Sequence, residues 1–159
     1  MSAKIKIVAV GRIKERHFRD TIAEYTKRLG RFCKLSIIEV EDEKNPPNQS
    51  ETLVSRVLKQ ECLRLMPHIK DTNTIAMDVS GQKITSERFS ELLKDLFERD
   101  KDLSFVIGGS LGLDKEILER SDMRLSMSDM TFPHQLARVM LIEQIYRAFK
   151  ILAHEKYHK

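Results

Sequence analysis

The stretch Leu125–Ile151, LSMSDMTFPHQLARVMLIEQIYRAFKI, reads as a strand end, a polar loop and a long helix in direct succession. The strand is expected near Arg124–Met127 and the helix from about Pro133 to Leu152, with proline presetting the first-turn backbone. Val139, Ile142, Ile145, Tyr146 and Phe149 recur at helical spacing, which makes that face core or interface. Glu143 and Arg147 stand one turn apart, as a surface ion pair would. Arg138 lies within two turns of the loop, where a charge can face a ligand.

Just upstream, FVIGGSLGLD (Phe105–Asp114) places three glycines after a buried strand, Leu103–Ile107. That is where ligands of open α/β sheets lie. The glycines match neither GxGxxG nor GxxxxGK[ST], and no lysine stands at the phosphate-gripping position, which argues against nucleoside triphosphates and dinucleotides. A short helix follows near Lys115–Glu119.

Toward the amino terminus the same alternation continues. Lys4–Val10 is strand-like and ends at Gly11, and Phe18, Ile22, Tyr25 and Leu29 then mark a helix up to Gly30. A second strand at about Leu35–Val40 gives way to EDEKNPPNQS, a surface loop by its charges and paired prolines. Leu53, Val57, Leu58 and Leu65 form a helical stripe from Glu51 to Met66, closed by Pro67. A strand at Thr74–Val79 turns at Ser80-Gly81, and Phe89, Leu92, Leu93, Leu96 and Phe97 make another amphipathic helix. Strands alternating with helices predict an α/β fold: a mostly parallel sheet flanked by helices, as one domain over residues 1–159.

The hydrophobic fraction of 41% with 33% charged residues fits an ordinary folded domain. No apolar run reaches membrane-spanning length, and the opening MSAKIKIVAVG lacks a signal-peptide core, so a cytoplasmic protein is expected. Cys33 and Cys62 form no CxxC pair and read as free thiols. The net charge of +4 is unevenly spread: residues 1–34 carry ten Lys/Arg against three Asp/Glu, residues 35–130 thirteen against nineteen, and residues 131–159 five against two. Two basic ends brought together by folding would make a face suited to phosphate backbones.

The ending HEKYHK contains His154-Glu155-Lys156-Tyr157-His158, an H-E-x-x-H match. On a helix such a pair binds zinc, with the glutamate activating water and a third ligand from elsewhere. Only Lys159 follows, so that ligand would be His134, His68 or an acidic residue upstream. A zinc hydrolase using His154 and His158 is thus one alternative.

Taken in order, IVAVGRIKE (7–15), EYTKRL (24–29), FVIGGSLGL (105–113), MTFPHQLARVMLIEQIYRA (130–148) and the terminal YHK resemble the SPOUT-class methyltransferases, and within them the small RlmH family that methylates large-subunit ribosomal RNA. The resemblance covers essentially the whole chain. It implies a carboxy-terminal part, about residues 103–159, threaded into a deep trefoil knot, against the general rule. It implies S-adenosyl-L-methionine held in that knot, and a homodimer in which each active site borrows from its neighbour. Exposed apolar surface on the helix of residues 18–29 and on the carboxy-terminal helix agrees with a dimer.

Carried residue by residue, the resemblance assigns cofactor contacts to Met77, to Gly108, and to the loop Met127, Ser128, Asp129, Met130, Thr131 and Phe132. Met stands at position 77, where family members often have Leu, and at position 127, where they often have Leu or Phe, both volume-conserving changes. Backbone hydrogen bonds and apolar packing suffice for adenine, consistent with the missing phosphate signature. The family's tail reaches over the active site, and Tyr157, His158 and Lys159 match its ending, which makes the H-E-x-x-H match accidental. The implied reaction is methylation of N3 of a pseudouridine in helix 69 of 23S rRNA on the assembled ribosome, without metal. His158 is the candidate base, positioned by Tyr157, with Arg138 and Lys159 gripping phosphate or stabilising the anion. Arg12, Lys14, Arg16 and Arg19 are the candidate RNA-binding face, and His134 is expected to be structural. A non-catalytic ribosome-binding module would share the basic face without binding the cofactor.

Overall fold

The computed structural model describes residues 3–159; Met1 and Ser2, part of the stretch read as lacking a signal-peptide core, lie outside the described residues. Five strands, β1 (Ala3–Val10), β2 (Cys33–Val40), β3 (Asn73–Gln82), β4 (Leu103–Ile107) and β5 (Met123–Leu125), form one sheet in the order β2-β1-β4-β3-β5. Every pairing is parallel. The helices are α1 (Arg16–Leu29), α2 (Glu51–Ile69), α3 (Ser86–Phe97), α4 (Lys115–Arg120) and α5 (His134–Leu152). None is long and apolar enough to cross a membrane, among the described residues.

The period-two alternation of β1 divides the core. Ile5, Ile7 and Ala9 pack with Leu29, Phe89, Leu93, Leu141, Ile142 and Ile145, so α1, α3 and α5 cover one face. Val8 and Val10 pack with Cys62, Leu65, Ile69 and Ile117, so α2 and α4 cover the other. Consequently β1, β3 and β5 lead into helices on one side and β4 into a helix on the opposite side. β4 has a neighbour on each flank whose chain leaves the other way, which opens a crevice at its carboxyl end on both sides.

Side chains set three helix starts: Ser50, Thr85 and Asp114 accept from Leu53, Arg88 and Glu116 backbone N–H groups. α5 has no such cap. Three expectations are corrected. Ser80-Gly81 does not end its strand, because β3 runs on through both residues to Gln82. Pro67 does not close α2, which runs on to Ile69; the missing N–H leaves the carbonyl of Leu63 without its helical donor, on a residue that is itself exposed. β5 is also shorter and earlier than expected, Met123–Leu125, because Ser126 N–H turns back to the Gln82 carbonyl at 2.9 Å. That return brings backbone against backbone at Gly81, where an added Cβ would meet the Arg124 carbonyl carbon at 2.7 Å.

Candidate functional site

The chain leaves β4 in a tight glycine turn. Gly112, with φ +87°, donates its N–H to the Gly109 carbonyl at 3.1 Å. A Cβ on Gly108 would lie 2.4 Å from the Gly112 oxygen, so no larger residue fits without moving the turn. On the β3 side of this turn lies a cavity of about 460 Å³. Met77, Gly108, Met127, Ser128, Met130, Thr131 and Phe132 all line it, together with Ala137 and Leu141 of α5.

The loop between β5 and α5 forms the outer wall and is shaped by its own hydrogen bonds. Ser126 Oγ donates to the Ser128 carbonyl at 3.1 Å, and Met130 N–H donates to Ser128 Oγ at 3.0 Å. Met130 stands 73% exposed at the rim. Asp129 is the predicted residue that does not join the lining: it faces out, both carboxylate oxygens 2.6 Å from Lys83 Nζ. Apolar side chains, glycine backbone and the peptide groups of a loop suit a flat heterocycle with an aliphatic arm.

On the β1 side of the same turn is a second cavity of about 420 Å³. Arg12 and Lys14 line it, with Glu61 of α2 and with His134, Gln135 and Arg138 from the uncapped start of α5. Gly109, Ser110, Leu111 and His134 line both cavities, which therefore adjoin. Arg138 is buried; it binds Glu39 Oε2 at 2.5 Å and the Gly11 carbonyl at 3.2 Å, and its Nε is buried without a partner. Glu39 Oε2 also accepts from Ile13 N–H at 3.0 Å, so the loop after β1 is fastened to α5. Glu61 is only 4% exposed, and its Oε2 accepts from Glu43 N–H at 3.0 Å. Burial raises its carboxyl above the ordinary value. Arg16 and Arg19 lie outside this cavity on the exposed side of α1, with Arg16 3.7 Å from Asp20.

The tail folds back on its own protomer. α5 ends at Leu152 and His154 has φ 55°, so the helical spacing that the zinc reading needs does not form. Glu155 pairs with Arg31 and Lys150, which lower its carboxyl below the ordinary value. Tyr157 donates its hydroxyl to Glu143 Oε1 at 3.1 Å, and Arg147 grips the same oxygen at 2.6 Å. Desolvation first, then Tyr25 and Glu143, raise the Tyr157 hydroxyl. His158 is held between Arg147 and Glu87, and Lys159 is exposed. The tail thus brings Tyr157 and His158 together with the Glu143–Arg147 pair, away from the turn of β4.

Glu61, Glu39 and Glu87 escaped the sequence reading. Only Glu61 had a usable signal: it stands at i+4 between Val57 and Leu65, on the buried stripe of α2.

A model of the family described as predicted SPOUT methyltransferase matches residues 3–158. Ribosomal RNA large subunit methyltransferase H of Bifidobacterium adolescentis is 51% identical over 158 residues, covering 98% of this chain and 99% of that protein. The protein of the same name from Acetivibrio thermocellus is 50% identical over the same length and shares. A probable methylase family protein from Haemophilus influenzae matches in fold, with a TM-score of 0.57 at 14% identity over 98% of this chain and 70% of that one. The chain belongs to the SPOUT methyltransferase family.

Proposed function

We propose that this protein is an S-adenosyl-L-methionine-dependent methyltransferase acting on N3 of a pseudouridine in helix 69 of 23S rRNA, on the assembled ribosome, as a cytoplasmic homodimer. The observation that carries the reading is the first cavity, lined by all the residues assigned to the cofactor except Asp129. Full-length relatives named for methylation of large-subunit ribosomal RNA support the substrate class. The knotted threading of about residues 103–159, within one domain spanning 1–159, belongs to the same reading.

The lining fits the cofactor chemically. Met77, Met127 and Phe132 offer apolar walls, and Gly108 lets a ligand approach the backbone closely. S-adenosylmethionine bound there would supply an electrophilic methyl group for the acceptor nitrogen. The acceptor N3–H lies between two carbonyls and is weakly acidic, so the chain's work is to align that nitrogen and receive its proton, and no metal takes part.

His158 is the proposed proton acceptor. In the docked tail both ring nitrogens are occupied, so His158 can act only after leaving Arg147, and Lys159 on the RNA backbone supplies a reason to move. Tyr157 orients the tail through Glu143. Arg138, with its terminal nitrogens on Glu39 and Gly11, contributes fixed positive charge beside the second cavity. Arg12, Lys14, Arg16 and Arg19 take phosphates. Calorimetric titration with S-adenosylmethionine, followed by labelled methyl transfer to ribosomes lacking the modification, tests the reading. Failure to bind the cofactor would leave a non-catalytic ribosome-binding module.

A further inference from the structure

We propose that the second cavity is the pocket for the acceptor nucleotide, with Glu61 accepting a hydrogen bond from a pyrimidine ring N–H and with Arg12, Lys14 and the open start of α5 taking its phosphate. The inference rests on the methyltransferase reading and adds to it a location and a specificity residue.

Three observations converge on this pocket. The first is topological: β4 is flanked by two crevices, the proposed cofactor cavity on the β3 side and this one on the β1 side, sharing the lining residues Gly109–Leu111. A two-substrate transfer needs two adjoining sites, and open α/β sheets bind ligands where neighbouring strands lead to opposite faces. The second is a buried carboxylate with acceptor capacity left over. Glu61 spends one hydrogen bond on Glu43 N–H, and both its oxygens lie within 3.3 Å of where a Cβ on Gly109 would stand. Nothing larger than glycine would leave that contact undisturbed. The third is a set of donors left over: among the described residues Arg12 and Lys14 are exposed with no ion pair, α5 begins without a side-chain cap, and the Nε of Arg138, whose terminal nitrogens are held by Glu39 and Gly11, is buried without a partner. Free N–H groups at a helix start together with cations favour a phosphate.

The chemistry of the ring gives the carboxylate a discriminating task. Uridine carries one ring N–H, at N3, whereas pseudouridine carries two, at N1 and N3. If N3 points past the glycine turn into the adjoining cofactor cavity, where it can meet the methyl directly, the N1–H remains for Glu61. A buried acceptor left without that donor penalises uridine.

The test uses the full-length protein and two probes, pseudouridine 5′-monophosphate and uridine 5′-monophosphate, followed by amide chemical shifts. Pseudouridine 5′-monophosphate should shift Gly11, Gly109 and Gln135 and bind about tenfold tighter than the uridine compound, the effect of one hydrogen bond to a charged group. Glu61→Ala should erase the preference, and Glu61→Gln, which keeps the volume and a neutral acceptor, should weaken it, both leaving titration with S-adenosylmethionine unchanged. Shifts confined to residues 126–132, or a preference undiminished in folded Glu61 variants, would overturn the proposal. A wild-type protein that binds the nucleotide as described yet methylates no large-subunit RNA would overturn the assigned reaction and leave the pocket supported.

Discussion

Nε2 of His158 lies 2.6 Å from Oε1 of Glu87, tying the end of the chain to the first turn of α3. Arg147 approaches the other ring nitrogen, Nδ1, at 3.1 Å. A guanidinium can only donate, so Nδ1 accepts and Nε2 carries the proton given to Glu87. His158 bonding holds the Glu87 carboxyl below its ordinary value.

This arrangement gives the tail a defined acid response. Glu87 and Glu155 both have lowered carboxyl pKa values, so their contribution is present above the ordinary carboxylate range and is lost as pH falls through the lowered values. Amide hydrogen exchange at residues 155–159, once corrected for intrinsic rates, should lose protection as pH falls through those lowered values. Glu87→Ala should remove the His158 part of the protection at every pH.

His158→Ala should reduce saturated turnover by roughly 10² or more while cofactor affinity stays nearly intact. Rising pH should partly restore the variant, because hydroxide can then take the N3 proton. Deleting residues 155–159 should likewise spare S-adenosylmethionine binding, since none of them lines the first cavity. Single-turnover transfer across pH measures the first effect and calorimetry the second; a His158→Ala protein with a normal saturated rate would leave His158 as an RNA contact only.

The glycine turn is the least replaceable part of the cofactor cavity. Gly108→Ala places a Cβ 2.4 Å from the Gly112 oxygen, which is backbone and cannot swing away. A loss of about 1–3 kcal/mol in stability is expected from such overpacking, with weakened cofactor binding. Denaturant unfolding and a cofactor titration measure the two separately.

Replacing Arg12 or Lys14 by Ala should weaken ribosome binding and lower the slope of log affinity against log salt by about one counterion per charge. The saturated rate of methyl transfer should barely change. Filter binding over a salt series reads this directly, and an unaltered slope would remove the residue from the phosphate face.

Much of the fold was legible because α/β alternation writes itself in hydrophobic period. The strands of the interior, such as Leu103–Ile107, are apolar throughout, and the helices carry stripes ended by glycine or capped by Ser50, Thr85 and Asp114. The extent of α2 past Pro67 was not legible, because it depends on which side of the helix meets water. The first cavity followed from family likeness rather than from spacing: Met77, Gly108 and the 127–132 loop are distant in sequence, and the parallel register of β3 with β4 and β5 brings them together. The second cavity is a product of tertiary placement. Glu61 was hidden in an apolar stripe, and its partner Glu43 sits in a loop that periodicity cannot describe.

The most direct test of the central claim is mass mapping of ribosomal RNA from cells with and without this protein. The account predicts one methyl group on one pseudouridine of helix 69 in 23S rRNA, absent when the protein is removed and restored by the wild-type chain. Identical large-subunit RNA from the two strains, or a lost methyl at any other nucleotide, would contradict it.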